Sequence, residues 1–213
     1  MIDDTTLIAD PAAVRCIVAD PAWRFDDKLG RRGAAANYST LTVEEIQEHP
    51  TFHAIAVAPR NAVLFLWRVA SLQAEALAVA RAWGYAVKSE IVWEKTTCRG
   101  NDHFGLGHYV RASHETCLIC VRGRVRVKNH STRSRFRAPV GRHSEKPEAF
   151  FDLVEALVEG PYVEFFARRH RPGWVCLGNE LANAPRHAPH QAPHQAHSTR
   201  RTSARTTGQR VGA

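Results

Sequence analysis

The stretch "RCIVADPAWRF", residues 15–25, joins a short apolar run to a polar motif, and the other elements of the chain can be arranged around it. Residues 15–19 are typical of a buried strand, and Asp20 follows that strand directly. Ligand sites of α/β sheets lie beyond the carboxyl ends of the strands. We therefore expect Asp20, Pro21 and Trp23 to lie at the mouth of a crevice, at the start of a long polar, glycine-rich loop.

Strands and helices alternate along the rest of the chain. Five further apolar runs predict strands, at 61–69, 85–95, 115–121, 162–167 and 174–178. Three helices are expected, one over 42–49 with a capping box of Thr42 and Glu45, one from Ser71 as N-cap to Trp83, and one over 146–160. The basic stretch 122–142 has little apolar periodicity and is interpreted as a loop. This alternation predicts an α/β protein whose sheet is covered by helices on both faces.

The composition indicates a single globular domain, because 44% apolar residues in a chain of 213 suffice for a sizeable core. No apolar run is long enough for a membrane span, and the N-terminus lacks the pattern of a signal peptide. The cysteines suggest no disulfide framework, which favours a reduced, cytoplasmic setting. Cys117 and Cys120 lie three apart in a predicted strand and face opposite sides, so we interpret both as core residues and assign no metal site.

The positive charge of the chain is concentrated in two segments. Of the formal net charge of +8, the tail beyond residue 180 contributes five positive charges and no acidic residue. We therefore divide the chain into a folded domain, 1–180, and a disordered basic tail, 181–213, rich in histidine, arginine and proline. The segment 122–142 contains eight basic residues and no acidic one.

Such a basic segment is typical of a surface that follows a nucleic-acid backbone, with Phe136 available for stacking. A merely solvated charged surface is the alternative. The residues assigned to nucleic-acid binding are Arg122, Arg124, Arg126, Lys128, Arg133, Arg135 and Arg137.

The motif at Asp20 suits the exocyclic amine of a nucleobase. The lone pair of this amine is delocalised into the ring, so the amine is a weak nucleophile. Asp20 and the main-chain carbonyl of Pro21 can each accept one of its N–H bonds and direct the lone pair outward, while Trp23 can stack on the base. A turn in which the aspartate caps its own backbone is the alternative explanation. This chemistry does not distinguish adenine from cytosine.

Seven segments, taken in order, resemble the MT-A70-type adenine methyltransferases. They are "ADPAWRF", "NYSTLTVEEI", "LFLW", "EALAVARAWGYAVKSEIVWEK", "GLGHYVRASHETCLICVRG", "RHSEKPEAFFDLVE" and "VEFFARRHRPGWVCLGNE", and they cover about residues 15–180. The resemblance implies a Rossmann-like class I methyltransferase fold, with a mostly parallel seven-stranded sheet, helices on both faces and a permuted strand order. It also implies transfer of a methyl group from S-adenosylmethionine to the exocyclic amine of adenine in nucleic acid, in a bacterial or phage setting.

The resemblance assigns roles to individual residues. Asp20, Pro21 and Trp23 match the catalytic motif, and Lys146 matches a lysine that binds the carboxylate of the cofactor's methionine part. The residues expected around the ribose and adenine of the cofactor are Arg168, His170, Asn179 and Glu180. DNA is favoured over RNA as the substrate, and no membrane partner is expected. A homodimer or heterodimer is compatible with the sequence.

Ala22 departs from the family motif, which has a second proline at this position. Alanine leaves its own φ free and relaxes the restriction on Pro21, so we expect a working but slower site. The departure also supports a rival interpretation, a catalytically silent nucleic-acid-binding subunit of the same fold. Retention of Asp20, Trp23 and Lys146 argues against that rival.

Overall fold

The computed structural model describes residues 10–24, 40–105, 107, 109–141, 145–179 and 181. Most of the loop predicted after Trp23, residues 25–39, lies outside this range. Arg142, Glu180 and the tail from residue 182 also lie outside it. What the sequence predicts for these residues stays a prediction.

Seven strands form one sheet. They are β1 Cys16–Ala19, β2 Ala62–Arg68, β3 Ala86–Thr96, β4 His114–Arg122, β5 Arg135–Pro139, β6 Tyr162–Phe165 and β7 Trp174–Leu177. Their order across the sheet is β5-β3-β4-β2-β1-β6-β7. The strand formed by the stretch that carries Asp20, β1, therefore lies inside the sheet and not at its edge.

A switch point in the strand order lies at β1. This strand pairs in parallel with β2 on one side and with β6 on the other. β7 runs parallel to β6 and β5 runs parallel to β3, whereas β4 is antiparallel to both β2 and β3. Six of the seven strands thus point the same way. In such sheets a crevice opens at the carboxyl ends of the strands where the order reverses, which is here the end of β1.

Helices pack on both faces of the sheet. They are α1 Val43–Gln47, α2 Pro50–Val57, α3 Gln73–Ala82 and α4 Glu148–Leu157, with short 3-10 helices at Pro11–Ala13 and Ala70–Leu72. The predicted capping box of Thr42 and Glu45 is present at the start of α1. Within the described part of the chain, no helix combines the length and the apolar character that a membrane crossing requires. The predicted α/β class with two covered faces is confirmed.

Two hydrophobic cores lie on opposite faces of the sheet, and successive strand residues alternate between them. Along β1, Ile17 packs with α1, α2 and α3, whereas Val18 packs with α4. The same alternation separates Cys117 from Cys120, since each is fully buried in a different core. The interpretation of both cysteines as core residues is confirmed.

The segment predicted as a basic loop contains an edge strand, so that prediction is wrong for Arg135–Pro139. β5 pairs in parallel with β3, and its apolar residues alternate with its arginines. Ala138 is buried, and the ring of Phe136 lies 6.3 Å from that of Phe150 in the α4-side core. Phe136 is therefore half-buried, with its ring packed against the α4-side core.

Ser71 was expected to cap a helix, and this prediction is also wrong. Ser71 lies within the 3-10 helix Ala70–Leu72, and α3 begins after Leu72, whose side chain makes no capping hydrogen bond. The 3-10 helix connects the end of β2 at Arg68 to the start of α3. The helix itself ends at Ala82, close to the predicted end.

Candidate active site

A cavity of about 610 Å³ opens at the carboxyl end of β1, and we call it the main cavity. Its walls include the end of β1 with Asp20, the end of β2 with Arg68, and the start of β4 with His114. β4 reaches this end of the sheet with its amino terminus because it runs against its neighbours. A cavity of this volume is within the range of small-molecule sites. The motif that begins at Asp20 lies where the sequence predicted it, at the rim of the sheet.

The main chain after Asp20 makes a tight turn centred on Ala22. The amide of Trp23 donates to the carbonyl of Pro21 at 2.8 Å, a bond over two residues that is typical of a γ-turn. The carbonyl of Ala22 accepts from the amide of Leu41 at 2.8 Å, and the amide of Arg24 donates back to Leu41. The turn is therefore held from both sides. The Pro21 carbonyl already accepts one hydrogen bond and has a second lone pair for another.

Trp23 lines the main cavity but is almost completely buried. Only 4% of its surface is exposed, and its indole Nε1 donates to the carbonyl of Trp67 at 3.1 Å. This bond and its packing in the core with α1 to α3 fix the ring. Trp23 therefore forms a rigid wall of the cavity, and only a small part of the ring is accessible to a base.

Lys146 lies beside Asp20 although 126 residues separate them in sequence. Its ammonium Nζ lies 2.6 Å from Oδ2 of Asp20, 3.2 Å from Oε2 of Glu115 and 5.0 Å from the centre of the Trp67 ring. The lysine side chain is 8% exposed. Burial alone would lower the pKa of Lys146, but the carboxylates of Asp20 and Glu115 outweigh this effect and raise it. Lys146 is therefore a buried, permanent cation of the site.

A second lysine continues this row of charges. Lys95 at the end of β3 lies 2.7 Å from Oε1 of Glu115. Burial would raise the pKa of Glu115, but Lys146 and Lys95 together lower it, so the carboxyl stays ionised between them. The sequence analysis did not assign Lys95 or Glu115 to the site. The signal was weak, because a Lys in a strand and a Glu in another strand show no spacing that links them.

The end of β6 brings Arg168 to the same rim. Phe166, the residue after β6, has φ of 62°, a strained left-handed conformation that is unusual for a bulky residue. Arg168 lines the main cavity and also a neighbouring cavity of about 260 Å³, which we call the side cavity. Asn179, after β7, lines the side cavity with Phe52. Asp20 borders both cavities, so it lies between them.

Gly178 lies where the ends of β6 and β7 approach each other. A Cβ added at Gly178 would lie 2.2 Å from the carbonyl oxygen of Ala167 and 2.7 Å from its nitrogen. The amide of Ala167 also donates to the carbonyl of Leu177 at 3.0 Å. Only glycine fits this contact, which holds the segments of Arg168 and Asn179 together.

The structure does not bring all predicted cofactor residues to the site. Asp20, Lys146, Arg168 and Asn179 border the two cavities. His170 is exposed and does not line either of them. Glu180 lies outside the described residues.

The basic residues assigned to nucleic-acid binding divide into two groups by their position in the sheet. Arg122 pairs with Ala62 at the start of β2, whereas the main cavity lies at Arg68. Six residues of strand separate these ends, a distance of about 20 Å. Arg124, Arg126 and Lys128 follow Arg122 in the chain, so this group begins at the far end of the sheet.

Several of these basic residues already make hydrogen bonds or ion pairs within the protein. The guanidinium of Arg122 donates to the carbonyl of Val57 at 2.6 Å, and Lys128 donates to that of Glu155 at 2.9 Å. On β5, Arg135 pairs with Glu94 at 2.6 Å and Arg137 with Asp102 at 2.7 Å. Arg133 is exposed just before β5. The assignment of the whole set to nucleic acid stays a prediction.

A different group of exposed side chains lies on the connection between β3 and β4, which reaches the main cavity at Ala112, and the sequence analysis missed it. The connection between β3 and β4 contains Arg99 and Arg111, both exposed, and Ala112 of this connection lines the cavity. Tyr109 is 99% exposed and Val110 is 73% exposed. Their proximity to the site depends on the antiparallel pairing of β3 with β4, which the sequence does not show.

The sheet order and the site together define the class of this protein. The mostly parallel, seven-stranded α/β sheet with helices on both faces is a Rossmann-like methyltransferase fold. The chain matches the MT-A70 family over residues 14–180 and belongs to that family.

Curated relatives of the chain have names that agree with this family. The chain is 31% identical over 175 residues to a Medicago truncatula protein described as MT-A70-like, and 29% identical over 173 residues to the N(6)-adenosine-methyltransferase MT-A70-like protein of Arabidopsis thaliana. It is 28% identical over 185 residues to the human N(6)-adenine-specific methyltransferase METTL4. Each match covers 78% of this chain, but only 26%, 23% and 37% of the respective relatives. The chain thus spans about a quarter to a third of the length of these relatives.

Proposed function

We propose that the protein transfers a methyl group from S-adenosylmethionine to the exocyclic amine of adenine in nucleic acid. The observation that carries this proposal is the position of Asp20, at the switch point of the sheet and on the border between two cavities, with Lys146 at 2.6 Å. Membership in the MT-A70 family and relatives named as N6-adenosine or N6-adenine methyltransferases support it.

The residues around the two cavities fit this cofactor. S-adenosylmethionine supplies an electrophilic methyl group on a sulfonium, and it carries a carboxylate, an ammonium group, a ribose and an adenine. Lys146 is a buried cation suited to the carboxylate, and Arg168 and Asn179 of the side cavity are suited to the ribose and adenine. The indole Nε1 of Trp67, in the wall of the main cavity, is a buried donor without a hydrogen-bond partner among the described residues. Such an atom is expected where a ligand supplies the acceptor.

The other residues of the site contribute by positioning the adenine amine for methyl transfer. Asp20 accepts one N–H bond of the adenine amine, and the Pro21 carbonyl accepts the other through its second lone pair. The γ-turn at Ala22 aims this carbonyl before the base arrives. Preorganised acceptors of this kind reduce the entropy that must be lost on reaching the reactive geometry. Trp23 and Trp67 bound the space that the base enters.

The nucleic acid is proposed to approach over the connection between β3 and β4. Arg99 and Arg111 supply exposed positive charge on this connection, and Tyr109 supplies an exposed aromatic ring. An adenine inside a duplex cannot reach the cavity, so the base is flipped out or comes from a single strand. Arg135 and Arg137 on β5 extend this surface along the sheet edge.

The finer parts of the proposal concern substrate and setting. We favour DNA over RNA and a cytoplasmic, bacterial or phage setting, although the relatives named above are eukaryotic and do not support that origin. The division into a methyltransferase domain, 1–180, and a basic tail, 181–213, belongs to the same proposal. A homodimer or heterodimer is compatible with it.

A methylation assay with two Asp20 variants tests the function. The protein is incubated with labelled S-adenosylmethionine and with DNA or RNA oligonucleotides, and the nucleosides are then identified. We expect N6-methyladenine, with more product from DNA, and we expect Asp20→Asn and Asp20→Ala to reduce the rate by about 10²–10³-fold, as for the loss of other preorganised hydrogen-bonding groups.

The variants must keep their cofactor affinity for this result to concern catalysis. Binding of S-adenosylhomocysteine by calorimetry is the control, and we expect it to change little in Asp20→Asn. Cofactor binding without methylated product from any substrate supports the silent binding subunit instead. Methylated cytosine as the product would contradict the assignment to adenine.

A further inference from the structure

Glu164 is an acidic residue in the middle of the apolar strand β6. It pairs in register with Val18 of β1 and Cys176 of β7, and these two residues belong to the core on the α4 side of the sheet. Phe165, the next residue, faces the other core. The alternation of side chains therefore directs the carboxyl group of Glu164 towards the α4 face, beneath the segment that contains Lys146.

One oxygen of the Glu164 carboxyl group is buried without a hydrogen bond, although the residue as a whole is only half-buried. Its oxygen Oε2 is completely buried and has no hydrogen-bond partner among the described residues. Burial raises the pKa of Glu164 to about 7, with a further increase from Asp20 and Glu148, while Arg171 and Arg169 act in the opposite direction. A buried polar atom without a partner costs free energy, so its presence in a native protein calls for an explanation.

A small inner cavity of about 20 Å³ lies at this carboxyl group. Its walls include Asp20, Lys146 and Arg168, which also border the main cavity, and Glu164, which does not. This volume suffices for one group of the size of a water molecule. An ammonium group has about this size.

The inner cavity has three carboxylates in its walls, and two of them have partners. Asp20 lies 2.6 Å from Lys146, and Glu145 lies 3.0 Å from Arg169. Oε2 of Glu164 is the carboxylate oxygen that remains without a hydrogen bond within the described part of the chain. A cation that enters this cavity would find its acceptor there.

We propose that Glu164 binds the ammonium group of the methionine part of S-adenosylmethionine. This inference rests on the proposed function, because Lys146 is assigned to the carboxylate of the same cofactor. The carboxylate and the ammonium group are attached to one carbon atom, so their protein partners must lie side by side. Lys146 and Glu164 fulfil this condition, since both line the inner cavity.

Binding is expected to release a proton. Glu164 is partly protonated near neutral pH, and an ammonium group beside it favours the ionised form. The other charged groups that face it are Asp20 after β1, Glu145 and Lys146 before α4, Glu148 at the start of α4, and Arg168, Arg169 and Arg171 after β6. The proton released by Glu164 is therefore measured as the difference between the wild-type protein and Glu164→Gln.

The test compares three nucleosides that differ in their amino-acid part. S-adenosylhomocysteine carries both charged groups, S-adenosyl-3-thiopropylamine carries only the ammonium group, and 5′-methylthioadenosine carries neither. We expect Glu164→Gln to weaken the binding of the first two nucleosides by about 30-fold, in line with the loss of a buried charged hydrogen-bond partner. The affinity for the third nucleoside is expected to change less than about two-fold. Glu145→Gln is the matched control, and we expect it not to discriminate between the three nucleosides.

Calorimetry in buffers of different ionisation enthalpy supplies a second readout, the proton release of the wild-type protein compared with that of Glu164→Gln. We expect proton release at pH 7 with S-adenosylhomocysteine and none with 5′-methylthioadenosine. Equal weakening of all three nucleosides by Glu164→Gln, or equal proton release with both, would overturn the inference and leave the proposed function intact. If the wild-type protein binds none of the three, the proposed function fails as well.

Discussion

Ala22 lies at the centre of a turn that backbone hydrogen bonds hold in place. The sequence analysis attributed rigidity to a second proline at this position. In the structure, three backbone hydrogen bonds hold the turn, from Trp23 to Pro21, from Leu41 to Ala22 and from Arg24 to Leu41. None of them uses the amide of residue 22. The carbonyl acceptor of Pro21 is therefore held in place without a proline at residue 22.

Replacement of Ala22 by proline is expected to stabilise the protein without accelerating it. The central residue of an inverse γ-turn has φ near −75°, which proline adopts, so Ala22→Pro should raise the free energy of unfolding by about 0.4–1 kcal/mol through the unfolded chain. We expect kcat to change less than about two-fold, because the three bonds described above already restrict the turn. Denaturant unfolding and the methylation assay measure the two effects.

Ala22→Gly is the matched variant, since it loosens the same position. We expect it to destabilise the protein and to lower kcat. A tenfold gain in kcat for Ala22→Pro would show that the alanine leaves the acceptor mobile, as the sequence alone had suggested.

The contact between β6 and β7 shows how elements determine the site. The strained Phe166 and the close approach at Gly178 turn two strand ends so that Arg168 and Asn179 reach the same side cavity. Their positions depend on backbone packing and not on the residues' own identities. A change at Gly178 is therefore expected to alter cofactor binding, although glycine has no side chain to bind with.

Gly178→Ala is expected to lower both stability and cofactor affinity. The new Cβ would lie 2.2 Å from a backbone oxygen that cannot rotate away, and such overpacking typically costs about 1–3 kcal/mol. Denaturant unfolding measures the cost, and calorimetry with 5′-methylthioadenosine measures the affinity. Gly105→Ala is the control, because its Cβ would make an ordinary contact at 3.7 Å. Equal stability of the two variants would show that the two strand ends can separate freely.

The elements that sequence predicted well are those with long or strongly patterned signals. The apolar run of β2 and the capping box of α1 both appear as expected. β5 was missed because its pattern covers only five residues, in which Arg135 and Arg137 face outward and Ala138 faces inward. Two arginines in five residues resemble a loop unless the edge of a sheet is known to lie beside them.

At the scale of the whole molecule, the direction of each strand determines which residues lie at the main cavity, and the sequence alone does not show these directions. Asp20, Lys146 and Arg168 were predicted from the family motifs, and the parallel pairing of β1 with β6 brings the ends of both strands to one rim. The antiparallel direction of β4 has the opposite effect for the basic segment, since it carries Arg122 to the far end of the sheet. The same direction brings Ala112, the neighbour of Arg111, to the wall of the main cavity. Glu164 was missed because a single acidic residue in an apolar strand gives no sign of its partners.

Two pairs of arginines can therefore test which surface binds the nucleic acid. One pair belongs to the surface predicted from the sequence, and the other belongs to the surface that the sheet topology indicates. Arg124 and Arg126 follow the far end of β4, whereas Arg99 and Arg111 lie on the connection between β3 and β4, which reaches the main cavity at Ala112. Each pair is exposed, and replacing either pair by glutamine removes two positive charges.

We expect Arg99→Gln/Arg111→Gln to weaken binding of a DNA duplex and to lower the slope of log K against log salt concentration by about 2, because each lost phosphate contact removes about 0.9 from the slope. Arg124→Gln/Arg126→Gln is expected to change the slope by less than about 0.5, since any effect of net charge alone is the same for both variants. Fluorescence anisotropy from low to moderate salt measures the slopes. A larger change of the slope for Arg124→Gln/Arg126→Gln than for Arg99→Gln/Arg111→Gln would place the DNA backbone along the far end of the sheet. The duplex would then have to extend about 20 Å from the methylated base, because six residues of strand separate the two ends.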